Sequence, residues 1–124
     1  MDQEGAVQVL RVVSVVDCGI AVNPDGVRAM QEGAINFALT PVLLSQITIN
    51  NSAVQESNFH DYQVLRINQA PQIQVHIVPS DQHPSGVGEL GAMLVPPAVA
   101  NAVFAATGVR VRRLPIESRL LRRS

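Results

Sequence analysis

One carboxylate set among glycines is the feature of this sequence with the clearest chemical potential. Glu89 lies in segment 85–91, whose sequence is SGVGELG. Glycine has no Cβ, so the backbone on either side of the carboxylate can approach a ligand closely. A carboxylate that is held in a tight, partly dry pocket becomes a stronger base. Glu89 is therefore our candidate catalytic residue, and a surface turn with a solvated glutamate is the alternative.

The histidines favour structural roles over a metal site. His60, Asp61 and Tyr62 are consecutive, and only His76 and His83 could add nitrogen ligands. Because adjacent residues rarely converge on one ion, we expect His60 and Asp61 to bond to backbone groups of a loop. The sequence predicts no metal site formed by this chain itself.

The single cysteine, Cys18, excludes an internal disulfide and a metal site made of cysteines alone. It follows an apolar run, which favours a core cysteine over a nucleophile. Asp17, at the expected end of a strand, is predicted to bind loop N–H groups. Asn23 precedes Pro24 and is predicted to cap the N-terminus of a helix.

Apolar periodicity and turn residues predict a mixed α+β fold with the order β-α-β-β-β-α and an extended, Arg-rich tail. The expected elements are a strand at 6–16, a helix at 24–44, hairpin strands at 47–49 and 53–55, a strand at 72–78, and a helix from Pro96 or Pro97 to Gly108.

Three of these elements carry specific expectations. The second half of the first strand is apolar on both faces, which predicts a buried, central position in a mixed sheet. Pro41 is expected to kink or split the first helix. A loop at 79–91, rich in proline, glycine and serine, carries Glu89 ahead of the second helix.

The composition fits one domain that spans residues 1–124. Hydrophobic residues make up 47% of the chain and charged residues 15%. Such a chain must bury a sizeable core or bury surface against a partner, and self-association is one form of such burial. The sequence predicts no membrane span, because no stretch reaches 18 apolar residues, and no signal peptide.

The charge is unevenly distributed along the chain. The net charge is −1, yet six of the nine arginines lie within 110–123, and lysine is absent. A basic end could bind nucleic acid or acidic lipid. Because the rest of the chain is acidic and no aromatic residues alternate with the arginines, we expect a solvated tail or a docking segment and no nucleic-acid partner.

Five motifs occur in an order and spacing that resemble one enzyme family. They are VVDCG at 15–19 with Asn23-Pro24, QEGA at 31–34, SNFHDY at 57–62, GVGE at 86–89 and ANAVFAATG at 100–108. From about Val9 to Pro115, the chain resembles the C-terminal part of the molybdopterin-binding large subunit of the xanthine dehydrogenase / aldehyde oxidase family. Within that family it is similar to the bacterial isoquinoline 1-oxidoreductase β-subunit type.

The resemblance implies oxidative hydroxylation of aldehydes or N-heterocycles. The implied cofactor is molybdopterin cytosine dinucleotide with molybdenum, which carries the redox step while the protein supplies orientation and a base. The implied partners are the remainder of the large subunit and an iron–sulfur small subunit, in the cytoplasm or at the periplasmic face of bacteria. A chain of 124 residues offers one wall of such a site, so we expect the isolated chain to bind no cofactor and to be inactive.

Residue by residue, the resemblance assigns the general base to Glu89 and a cofactor contact to Gly88. Gln31 lies near the family's cofactor-binding glutamine, but the polar and apolar positions are exchanged and Met30 occupies the expected place. One residue along a helix is a rotation of about 100°, so either Gln31 or Met30 is the cofactor-binding residue. Leu90 stands where the family usually has proline.

These departures leave a second interpretation open. The chain could be a non-catalytic α+β interaction or oligomerisation module that is derived from the same domain. The exchanged glutamine, Leu90 in place of proline and the high apolar fraction support it. The substrate stays unassigned, because most of the residues that shape a pocket lie outside this sequence.

Overall fold

The computed structural model describes residues 6–121 and has the mixed α+β fold that the sequence predicts. The elements are β1 (Arg11–Val16), α1 (Pro24–Leu43), β2 (Ile49–Asn50), β3 (Ala53–Val54), β4 (Gln72–Ile77) and α2 (Leu90–Thr107). Short 3-10 helices lie at Ile67–Gln69 and Ser118–Leu120. The four strands form two separate two-stranded sheets, one parallel and one antiparallel, rather than one mixed sheet.

The start of α1 follows from local chemistry. The side chain of Asn23 accepts a hydrogen bond from the backbone N–H of Gly26 at 3.0 Å, and Pro24, which has no N–H, begins the helix. This cap was predicted. Pro41 lies in the last turn, and α1 continues past it to Leu43, so of the two predicted alternatives the split is wrong and the kink stays a prediction. A proline near a helix end removes one backbone hydrogen bond, and the packing of this turn in the core offsets that loss.

β1 and β4 form a parallel pair of six residues each. β1 is shorter than the predicted strand at 6–16, and within residues 6–121 its only neighbour is β4. The side chain of Val16 is buried, whereas Val13 and Val15 are exposed. The expected central position is therefore wrong for this chain, because none of the described elements covers the outer face of β1.

β2 and β3 form the predicted hairpin, with shorter strands than expected. Asn51 and Ser52 make its two-residue turn with φ values of 49° and 62°, the left-handed conformation that such turns require. Just outside the hairpin, the carboxylate of Glu56 accepts bonds from the hydroxyl and the N–H of Thr48, both at 2.7 Å. These two bonds, the hydroxyl's first, lower the pKa of Glu56.

α2 begins at Leu90, not at Pro96 or Pro97 as predicted. Both prolines lie inside the helix, where each removes one backbone hydrogen bond. Packing of one stripe of α2 against α1 offsets that cost. The buried stripe consists of Gly91, Val95, Val99 and Val103. The helix ends at Gly108, as predicted, in a left-handed conformation with φ of 76°.

By length and composition alone, α2 could also cross a membrane. Its 18 residues have a mean hydropathy of 1.5, and 22% of these residues are buried. A single helix of this kind is weak evidence for a span, because core helices pass the same test. In this fold, α2 packs along α1 and contributes three core valines.

The main core lies between α1 and α2, and the C-terminal segment closes one end of it. Ile116 and Leu121 are buried in this core, and the N–H of Ile116 donates to the carbonyl oxygen of Val42 at 2.9 Å. The Arg-rich end up to residue 121 is therefore a docking segment, one of the two predicted forms. Arg122 and Arg123, which also belong to that end, lie outside the described residues.

Candidate functional site

An open groove of about 520 Å³ lies between α1 and the start of α2, and it brings together three of the four predicted site residues. Met30, Gly88 and Glu89 all line this groove. Met30 is half exposed. The loop that carries Glu89 runs so close to it that a Cβ on Gly88 would lie 3.5 Å from Met30 Cε. The helix position where the resemblance expects glutamine therefore presents a methionine to the groove.

Glu89 is the N-cap residue of α2, and its side chain is exposed. It caps no backbone N–H of that helix, so the carboxylate is free to turn toward a ligand in the groove. The positive end of the helix dipole favours an anionic side chain at this position. The tight, partly dry pocket that the sequence suggested is not formed by the described residues, because the groove is open to solvent on one side.

Two large apolar residues of the groove were missed at the level of sequence. Phe37 and Met93 line it and are strongly exposed. A periodic signal for Phe37 was available, because Met30, Gly33, Ala34 and Phe37 follow the spacing of one helical face. Met93 gave no such signal, since the sequence placed it ahead of the second helix rather than in its first turn.

Gln31 does not line the groove but lies in the interior next to it. Its side chain is 1% exposed, and Nε2 donates to the carbonyl oxygen of Val87 at 2.9 Å. Its Oε1 lies against Gly91, where an added Cβ would be 2.9 Å away. Gln31 thus ties α1 to the loop that precedes Glu89. A cofactor contact by Gln31 stays a prediction.

The other end of this loop is attached to the turn that follows β1. The N–H of Ile20 donates to the carbonyl oxygen of Gln82 at 3.0 Å, and the N–H of Ser85 donates to that of Cys18 at 2.9 Å. Together with the Gln31 contact, these bonds fix both ends of the segment that leads to Glu89. The candidate base is therefore presented by a loop that the fold holds in place.

Glycine at position 19 is required for that attachment. Gly19 has a φ of 70°, and a Cβ there would lie 2.2 Å from the carbonyl oxygen of His83. The carboxylate of Asp17 accepts a bond from the N–H of Gly19 at 3.1 Å, which confirms the loop-binding role predicted for it. Cys18 is buried, as predicted for a core cysteine.

His60 and Asp61 lie outside the groove; Asp61 has the predicted structural role, whereas the side chain of His60 contacts the Asp61 carboxylate instead of a backbone group. The carboxylate of Asp61 accepts bonds from the N–H groups of Ser57 and Asn58, each at 2.9 Å. These bonds, that of Asn58 first, hold the pKa of Asp61 well below its usual value. The imidazole of His60 is 3.5 Å from the same carboxylate. Between residues 6 and 121, no three His, Cys, Asp or Glu side chains are grouped so as to hold a metal ion.

Comparison with known proteins adds the family context. Residues 2–71 match the family described as the molybdopterin cofactor-binding domain. The chain is 41% identical over 117 residues to isoquinoline 1-oxidoreductase subunit beta of Brevundimonas diminuta, which covers 94% of this chain and 15% of that subunit. It is 38% identical over 112 residues to the membrane-bound aldehyde dehydrogenase [pyrroloquinoline-quinone] of Gluconacetobacter polyoxogenes, which covers 90% of this chain and 14% of that protein.

Among solved structures, quinoline 2-oxidoreductase from Pseudomonas putida 86 superposes on this chain with a TM-score of 0.83. The superposition covers 93% of this chain and 16% of that one, at 24% sequence identity, and therefore shows a shared fold. The chain spans about one seventh of the length of the two curated relatives described above.

Proposed function

Because the chain belongs to the molybdopterin cofactor-binding domain family, we propose that it supplies one wall of a molybdenum cofactor site, with Glu89 as general base. The observation that carries the proposal is the groove in which Glu89 and Gly88 meet Met30. The chain is then the C-terminal portion of a molybdenum hydroxylase large subunit, and the opposite wall comes from the remainder of that subunit.

The residues of the groove fit a cofactor that brings its own metal ligands. An added Cβ at Gly33 would meet no atom within 4 Å, so the surface of α1 is open at this point. Gly88 adds no side chain on the facing side. Between them, Met30 and Phe37 offer apolar surface to a planar group. Molybdopterin, when bound, supplies the redox chemistry of hydroxylation.

Glu89 contributes proton transfer in this proposal. General base catalysis first requires a carboxylate within reach of the reacting proton. Its position at the N-terminus of α2 and the absence of a capping bond leave its oxygens available to the groove. Gln31 acts through the loop: by binding Val87, it sets where Gly88 and Glu89 lie.

The finer assignments follow the same proposal. The substrate is an aldehyde or an N-heterocycle, which is supported by the apolar groove wall and by the names of the relatives. The cofactor is the cytosine dinucleotide form of molybdopterin. Electrons leave through an iron–sulfur small subunit. One relative is named for pyrroloquinoline quinone, so the test must also determine which cofactor is bound.

A chimera tests the proposal. The segment of Brevundimonas diminuta isoquinoline 1-oxidoreductase subunit beta that matches this chain is replaced by residues 1–124, and the enzyme is assembled with its partner subunit. We expect molybdenum and pterin in the purified enzyme, and turnover of isoquinoline. Glu89→Gln should lower kcat by about a hundredfold or more, with the molybdenum content unchanged.

Glu32→Gln is the matched control, because Glu32 is an exposed carboxylate of α1 that does not line the groove. It should leave turnover and molybdenum content unaltered. Near-normal turnover of Glu89→Gln would refute the role of the base. A chimera that contains quinone and no molybdenum would refute the cofactor assignment.

The second candidate is a non-catalytic interaction module. It is favoured by one observation, the strong exposure of apolar residues such as Val15, Phe37 and Leu94. Under this interpretation, the chimera folds but contains no molybdenum and shows no turnover, and the isolated chain has a defined mass above that of a monomer. The same preparations therefore distinguish the two candidates.

A further inference from the structure

One edge of β1 has no hydrogen-bonding partner among residues 6–121. The carbonyl oxygen of Leu10 accepts from Gln72 at 3.0 Å, and that of Val16 accepts from Val78 at 2.8 Å. Backbone groups alternate in direction along a strand, so even-numbered residues of β1 point toward β4. The N–H and C=O groups of Val13 therefore point to the opposite edge, as do those of its odd-numbered neighbours.

A second groove, which is apolar and distinct from the groove at Glu89, follows this edge. Two adjoining cavities of about 340 and 440 Å³ lie between β1 and α2, and Val13 lines both of them. The opposite wall is a stripe of α2 with a spacing of four residues, which consists of Leu94, Ala98, Ala102 and Ala106. Leu94 is 70% exposed. The small alanines leave room beside the strand, and unpaired backbone groups line the rim of that space.

We infer that this groove holds one extended strand from the remainder of the large subunit, which pairs with the free edge of β1. The inference rests on the proposed function, in which this chain is part of a polypeptide about seven times longer. An unpaired strand edge beside apolar surface is a template for an added strand. Hydrogen bonds to the backbone of Val13 and Val15 would satisfy that edge, and apolar side chains would cover the α2 stripe.

The chemistry of the occupant follows from the two surfaces that it contacts. Its inner side chains would lie against Ala98 and Ala102, so they are apolar and of moderate size. Its outer side chains would lie beside Val13 and Val15, both exposed, and are apolar as well. A second copy of this chain fits less well, because two β1 edges joined by a two-fold axis would bring two α2 helices beneath the same strands.

Amide hydrogen exchange tests the inference on the free chain and on the chimera. In the free chain, we expect fast exchange at Val13 and Val15 and slow exchange at Ser14, whose N–H points to β4. In the chimera, the amides of Val13 and Val15 should exchange at least about tenfold more slowly. Unchanged fast exchange in the chimera would overturn the inference. Protection that grows with concentration in the free chain, together with a dimeric mass, would assign the edge to a second copy instead.

Two proline variants provide a second measurement. Val13→Pro removes an N–H from the free edge, and Ser14→Pro removes one that faces β4. In the free chain, Val13→Pro should unfold at a clearly higher urea concentration than Ser14→Pro. In the chimera, the difference in unfolding urea concentration between Val13→Pro and Ser14→Pro should be mostly lost. If the difference stays as large as in the free chain, no strand pairs with the free edge of β1. Both readouts are independent of turnover, so an inactive chimera with a protected edge contradicts the proposed function only.

Discussion

The side-chain amide of Gln31 donates a hydrogen bond to the carbonyl oxygen of Val87 at 2.9 Å. This hydrogen bond joins α1 to the loop that carries Glu89, two residues before the carboxylate. Gln31 is 1% exposed, so a polar side chain in the interior is used to fix a loop at the surface. Buried polar groups are kept where a specific partner satisfies them.

Loss of that bond should destabilise the chain. Gln31→Met keeps the size of the side chain but removes the donor, and leaves the Val87 carbonyl without it. We expect the free energy of unfolding to fall by about 1–2 kcal/mol, measured by urea denaturation of the free chain. Glu32 is next to Gln31 and on the exposed side of α1. Glu32→Gln should change the free energy of unfolding by less than about 0.5 kcal/mol. Equal stability of the two variants would contradict the anchoring role.

Two glycine-to-alanine substitutions in helices should have opposite signs. Alanine raises helix propensity, so Gly33→Ala, with no atom within 4 Å of the new Cβ, should add about 0.5–1 kcal/mol to the free energy of unfolding. At Gly91, the Cβ would lie 2.9 Å from Gln31 Oε1 and 3.1 Å from the Gln31 carbonyl oxygen. Gly91→Ala should therefore lower the stability by about 1–3 kcal/mol. Thermal denaturation of both variants measures this, and a gain for Gly91→Ala would show that α2 moves away freely.

A second pair of glycines separates conformation from contact. Gly19 and Gly108 both have positive φ values, 70° and 76°. Only at Gly19 would a Cβ meet backbone, 2.2 Å from the carbonyl oxygen of His83. Gly108→Ala should cost about 1–2 kcal/mol from the left-handed conformation alone. Gly19→Ala should cost more than about 3 kcal/mol, or prevent folding, as judged by circular dichroism. Similar costs at both positions would contradict the close approach of the loop.

The stability of the loop at Asp61 should depend on acid pH. Backbone N–H bonds from Asn58 and Ser57 hold the pKa of Asp61 well below its usual value. A carboxylate with a lower pKa in the folded state stabilises the fold above its unfolded pKa, and this contribution is lost as the pH falls. Urea denaturation between about pH 5 and about pH 2 should therefore show a decline that is smaller in Asp61→Asn.

Asp81→Asn is the control for this series. The carboxylate of Asp81 accepts a bond from the Gln82 side chain and, among residues 6–121, from no backbone N–H. Its acid dependence should match that of the unaltered protein. A decline that is equally steep in Asp61→Asn would mean that other carboxylates, such as Glu56 with its lowered pKa, govern the acid sensitivity.

Features that depend on neighbouring residues could be predicted from the sequence. The Asn23 cap, the Asn51-Ser52 turn and the loop bonds of Asp61 each involve groups a few residues apart. Their geometry follows from side-chain length and backbone preference. The order and spacing of the five motifs can also be read directly from the sequence, and they were sufficient to identify the family.

Features that depend on distant contacts could not be read from local rules. The start of α2 at Leu90 contradicts the proline rule, because packing of Val95 against α1 outweighs two lost hydrogen bonds. The structural consequence of exchanging Met30 and Gln31 could not be predicted either, because it depends on where the loop that carries Glu89 packs against α1. The structure then shows Met30 facing the groove and Gln31 holding Val87.

The parallel pairing of β1 with β4 has a consequence for synthesis and folding. It joins Arg11 to Gln72, about sixty residues apart. During synthesis, β1 therefore cannot pair with β4 until the second half of the chain has left the ribosome. Closing a loop of that length carries an entropic cost before any contact repays it. A message truncated near residue 71 would encode the family match at residues 2–71 and yet leave β1 without β4, its only strand partner among residues 6–121, as a substrate for quality-control proteases.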